Sequence, residues 1–136
     1  MTKIGFTGTR NGMSEEQIGA FKEIIKSKKS DEFHHGMCIG SDKQVHNIVK
    51  NKKIKVVGHP PTFKKFMAEC DCDIFMKPHD YLKRNKNIVD ETDMMIATPD
   101  CKEKVRSGTW STVRYARKQH KKVYIIHKNG RVTVEG

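Results

Sequence analysis

Lys3-Ile4-Gly5-Phe6-Thr7-Gly8-Thr9-Arg10 is the stretch on which the fold turns. Residues 3–7 form a short apolar run that Gly8 ends, which reads as a strand. Ser14-Glu15-Glu16-Gln17 follows almost at once. Ser14 is an N-cap and Gln17 completes a capping box, so a helix is expected over residues 14–28. Ile18, Phe21, Ile24 and Ile25 fall on one face of it. A strand, a tight turn and a helix N-terminus together present backbone N–H groups and a positive dipole end to an anion.

The pattern recurs near residues 36 and 107. Residues 33–39 read as a second strand, and Gly40-Ser41-Asp42 opens a helix through about Lys50, with Val45, Ile48 and Val49 inward. Residues 53–57 read as a third strand, closed by Gly58-His59-Pro60-Pro61. In the less regular middle, Phe63, Phe66 and Met67 suit one helical turn onto the core, and Ile74, Phe75 and Met76 a short strand. A helix is expected from Tyr81 to about Glu91, burying Leu82, Ile88 and Val89. Residues 94–97 form a buried strand ended by Pro99, and residues 99–106 a polar loop. A helix from Thr109 to His120, a buried strand at residues 123–126 and an edge strand at residues 131–134 complete the chain. Alternating strands and helices imply an α/β three-layer sandwich with a mostly parallel sheet. Ligands of such sheets bind beyond the carboxyl ends of the strands, where the glycine loops fall.

The 136 residues fit one domain, spanning 1–136. Hydrophobic residues are 35% and charged residues 32%, which favours a compact layered fold over one built around a large cavity. No apolar stretch approaches the roughly 18–20 residues that span a bilayer, and the first residues do not pattern as a signal peptide. A cytoplasmic protein with no membrane partner is the expectation. The net charge of +11 attracts polyanions. The lysines are scattered, mostly at helix ends, which favours a small anionic ligand over a nucleic-acid groove. Cys38, Cys70, Cys72 and Cys101 read as reduced thiols. Cys70-x-Cys72 lacks zinc-finger spacing, and His34-His35 has no ligand partner at a matching interval, so no metal and no cofactor is expected.

The three loops carry the candidate ligand groups. Gly8 lets backbone approach a ligand, Thr9 offers a hydroxyl, and Arg10 suits a phosphate. Gly36 leaves room for a ring or ribose, Gly40-Ser41 opens a helix, and Asp42 is either a cap or a hydroxyl acceptor. Ser107, Gly108 and Thr109 form a phosphate cradle. Trp110 is read as packing beneath its helix rather than stacking on a base. Arg84 and Asn85 lie in the first turns of their helix, where Arg84 reaches either an anion or solvent.

Thr7-Gly8-Thr9-Arg10, His35-Gly36-x-x-x-Gly40-Ser41-Asp42, Arg84-Asn85-x-x-Ile88-Val89 and Ser107-Gly108-Thr109-Trp110, in this order, resemble the SLOG superfamily, above all its small YpsA-like members. That group also holds the DprA-like DNA-processing proteins and the LOG phosphoribohydrolases. The resemblance covers residues 3 to about 126. It implies a Rossmann-like domain that binds nucleotides or nucleotide-derived ligands, with frequent homodimers or higher homo-oligomers. By motif match the ligand residues are Gly8, Thr9, Arg10, Gly36, Ser41, Asp42, Arg84, Asn85, Ser107, Gly108 and Thr109. The phosphoribohydrolase branch places a catalytic Glu where this chain has Thr112, and a hydroxyl does not replace a carboxylate as base or oxocarbenium stabiliser. Asp42, Asp80 and Asp90 are the alternatives, with Asp42 the candidate. The expectation is therefore a protein that senses or sequesters an ADP-ribose-like or cyclic-nucleotide signal, as in phage–host conflict. N-glycosidic hydrolysis and single-stranded DNA binding are the alternatives.

Overall fold

A computed structural model describes residues 2–136. The first half of the chain supplies β1 (Lys3–Gly8), α1 (Glu15–Ser27), β2 (Glu32–His35), α2 (Ser41–Val49), β3 (Lys55–Gly58) and β4 (Ile74–Phe75). The second half supplies α3 (Tyr81–Asp90), β5 (Met94–Thr98), α4 (Gly108–Lys118), β6 (Lys122–Ile126) and β7 (Val132–Glu135). The strands form one sheet in the order β4-β3-β2-β1-β5-β6-β7, parallel except for β7. This is a Rossmann-like α/β sandwich. β1 pairs with β2 on one side and β5 on the other, so the strand order reverses direction at β1.

Period-two alternation divides the core between the two faces. Met94 and Ile96 of β5 join a cluster with Phe21 and Ile25 of α1 and Val45 and Val49 of α2. Met95 and Ala97 join the opposite cluster with Ile88 and Val89 of α3 and Trp110, Val113 and Ala116 of α4. In the first layer Phe21 packs edge-on against Phe6 and against Phe33, each at 5.7 Å between ring centroids. The capping box forms: Ser14 Oγ accepts from Gln17 N–H, and Gln17 Oε1 accepts from Ser14 N–H. Gln17 also donates through Nε2 to Pro99 O and Ile126 O, at 2.7 and 2.9 Å. One buried amide thus ties the start of α1 to the ends of β5 and β6.

The expected boundaries shift where packing overrules pattern. β2 stops at His35 rather than residue 39, because Met37 takes a left-handed φ of 57° and Cys38 bridges only to Met67. Leu82 is 65% exposed, against the expectation that it is buried. It lies six residues before Ile88, about 240° around the helix, and Arg84 takes the inward position instead. Phe63, expected on the core, is exposed beside a single 3-10 turn, Lys64–Phe66. Among the described residues no helix is long and apolar enough to cross a membrane.

Candidate binding cavity at the strand-order reversal

The segments after β1, β2 and β5 meet above the reversal point and enclose a cavity of about 440 Å³ with the first turns of α3 and α4. That volume lies in the range of roughly 300–1,000 Å³ typical of small-ligand sites. Gly8, Thr9, Arg10, Gly36, Asp42, Arg84, Asn85, Ser107, Gly108 and Thr109 all line it. Ser41, also expected there, sits fully buried behind Gly8.

Gly8 is enclosed by hydroxyls. A Cβ there would lie 2.6 Å from Thr98 Oγ1 and 2.9 Å from Ser41 Oγ. Among the described residues, Thr9 Oγ1, Ser41 Oγ and Thr98 Oγ1 are buried and have no hydrogen-bond partner. Unpartnered buried hydroxyls are costly, and of these three residues only Thr9 lines the cavity. Gly40, the N-cap of α2, has φ 84°, and a Cβ on it would strike the Arg10 carbonyl, so only glycine lets the β1 loop close against this helix.

Arg84 is buried, at 6% exposure. Its Nη1 donates to Gly36 O at 2.5 Å and more weakly to His59 O, its Nε donates to Asn85 Oδ1, and its Nη2 lies 3.7 Å from Cys38 Sγ. The space above Gly36 that the sequence reserved for a ligand ring is taken by this guanidinium, 2.6 Å from where a Cβ would stand. Asn85 serves by orienting Arg84. Arg10 is exposed at the mouth, its guanidinium 3.8 Å above the Phe66 ring. Ser107 caps α4 by accepting from Trp110 N–H, and Trp110 is packed in the core with Nε1 donating to Cys101 O.

Asp42 faces the cavity with its carboxylate accepting from Cys38 N–H. Burial pushes this carboxyl up to about 6, although the Arg84 guanidinium and the backbone N–H bonds pull the other way. A raised carboxyl in a cleft is a functional candidate. Of the alternatives, Asp80 caps α3 and Asp90 accepts from Tyr115 OH, and neither lines the cavity. Thr112 is buried and its hydroxyl donates to Gly108 O, so it turns into its own helix.

The fold has a solved counterpart. The chain is similar to the molybdenum cofactor binding protein from the phototrophic bacterium Rippkaea orientalis, with a TM-score of 0.71 and 20% sequence identity. The match covers 93% of this chain and 76% of that one. At that identity the likeness shows the fold. No family model and no curated protein matches the sequence.

Sequence reasoning passed over Asn11, Asp100 and Lys104, which also line the cavity. Asn11 Nδ2 donates to Asp100 Oδ2 at 2.9 Å, and this bond lowers the Asp100 carboxyl. The pair latches the β1 loop to the β5 loop across 89 residues of sequence. No local pattern reports a contact of that span. Lys104 and Arg106 lie in the polar loop, which Arg114 holds by donating to the carbonyls of Lys104 and Val105.

Proposed function

We propose that this chain binds a nucleotide or nucleotide-derived small molecule in the cavity at the β1–β5 reversal, as a SLOG-type sensor or sequestering protein. One observation carries the reading: the cationic side chains of Arg10, Lys104 and Arg106 and the unpartnered Thr9 hydroxyl belong to residues that line a single cavity. Arg10, Lys104 and Arg106 supply positive charge at its rim, and Ser41 and Thr98 pack behind Gly8 at its floor. Phosphate suits the cations and the α4 N-terminus, and a ribose hydroxyl suits Asp42. A protein of this fold whose name records cofactor binding supports a small-molecule ligand over a polymer. The inward-turned Thr112 supports holding over cleaving. Native mass spectrometry of the purified chain, followed by incubation with linear and cyclic nucleotides and ADP-ribose, tests it. A bound ligand recovered intact after denaturation is the expected result. No binding across the panel, or release of free base, overturns it.

A second reading rests on Asp42 alone. A buried carboxyl at about 6 in a cleft has the protonation behaviour of an acid–base group, which suits N-glycosidic hydrolysis. It requires turnover in the wild type that Asp42→Asn abolishes while binding persists.

A further inference from the structure

Cys70 and Cys72 come from the crossover between β3 and β4, far from any pattern that a sequence scan associates with metal. Cys72 N–H donates to Cys70 O at 3.1 Å, a tight turn that leaves Asp71 in solvent and turns both thiols inward. They meet His35, the last residue of β2, and His46 of α2. All four are buried, at 0% for His35, 1% for His46 and 7% for each cysteine. His35 Nε2 lies 3.0 Å from His46 Nδ1 and 3.9 Å from Cys72 Sγ. His35, His46 and Cys70 each offer a ligand atom within 4.8 Å of the others. Tetrahedral coordination with metal–nitrogen bonds of about 2.0 Å and metal–sulfur bonds of about 2.3 Å puts neighbouring ligand atoms about 3.3–3.8 Å apart. His35, His46 and Cys70 approach that spacing, and Cys72 Sγ, close to His35 Nε2, lies outside that group of three.

We propose that His35, His46, Cys70 and Cys72 form a structural site for a thiophilic divalent cation of the zinc class, separate from the ligand cavity. Two imidazoles and two thiols are the donor set that such an ion selects over magnesium or calcium.

The hydrogen bonds around the cluster support the assignment and also show its cost. Met37 N–H donates to His35 Nδ1 at 3.0 Å, so without metal His35 carries its proton on Nε2 and donates to His46 Nδ1. His46 Nε2 is then a buried N–H with no partner among the described residues, an expense that hydrogen bonding alone does not explain. Binding through Nε2 moves the His35 proton to Nδ1 and releases the two thiol protons to solvent, so the Met37 N–H bond to Nδ1 is lost. One such bond is about a tenth of the free energy that a structural zinc site supplies.

The test is a cobalt and zinc titration of the reduced full-length chain. Expected results are about one equivalent bound, thiolate-to-cobalt charge-transfer bands, the visible bands of tetrahedral cobalt, and displacement by zinc. Cys70→Ser, Cys72→Ser and His46→Gln, with folding verified by circular dichroism, each weaken binding at least about tenfold, whereas Asp42→Asn leaves it unchanged. Absence of charge-transfer bands in folded, reduced wild type overturns the proposal. So does an unaltered spectrum in the cysteine variants.

Discussion

Asp42→Asn is expected to stabilise the unliganded protein at neutral pH. An Asn resembles the protonated carboxyl, keeps an acceptor for Cys38 N–H, and removes the charge that burial opposes. The carboxyl moves from 3.8 unfolded to about 6 folded, which corresponds to about 3 kcal/mol between its two protonation states. Between these values the native chain holds a proton that the unfolded chain has lost. Wild-type stability therefore falls as pH rises from about 4 to about 6, and this group adds no further change above that. Asp42→Asn lacks the fall. The gap between the two proteins is near zero at about pH 4, opens through about pH 6, and levels at up to about 3 kcal/mol. Urea unfolding of both proteins in parallel from about pH 4 to about pH 8 measures it, since every other titration cancels in the difference. A variant less stable than wild type at pH 8 refutes the argument, as does a gap that does not change with pH.

Other perturbations probe the same architecture. Gly36→Ala puts a methyl 2.7 Å from Arg84 Cζ and forces the guanidinium off Gly36 O; a loss of about 1–3 kcal/mol in denaturant and at least tenfold weaker ligand binding in calorimetry are expected. Arg10→Ala leaves stability within about 0.5 kcal/mol, because Arg10 is exposed, yet weakens binding of a phosphorylated ligand and flattens its salt dependence. Gln17→Leu strands the buried carbonyls of Pro99 and Ile126 and opens the capping box, costing about 2–4 kcal/mol by urea melt without changing the residues that line the cavity.

The elements were legible because their signals are local. Ser14 and Gln17 announce α1 at a spacing of three, and the run from Met94 to Ala97 announces a strand buried on both faces. The glycine loops were legible for the same reason, and ten of the eleven expected ligand residues line one cavity. What they do there was less legible. The sequence reads Gly36 as room for a ligand, whereas the close approach is made by Arg84, 48 residues away. Leu82 was misread because apolar character is a weaker guide to the buried face than the registry set by Ile88 and Val89.

Period and capping along the chain therefore determined the order of strands and helices, and with it a parallel sheet with glycine loops at its carboxyl ends. Tertiary structure alone decided which charges are buried and what they face. Asp42 reaches about 6 because strands and helices from distant segments exclude water around it, and Arg84 is spent on carbonyls that the sheet delivers to it. His35, His46, Cys70 and Cys72 are scattered over 37 residues and become neighbours only when β2, α2 and the β3–β4 crossover pack together. Desolvation and ligand geometry depend on distances in space, and spacing in sequence records those only within a single element.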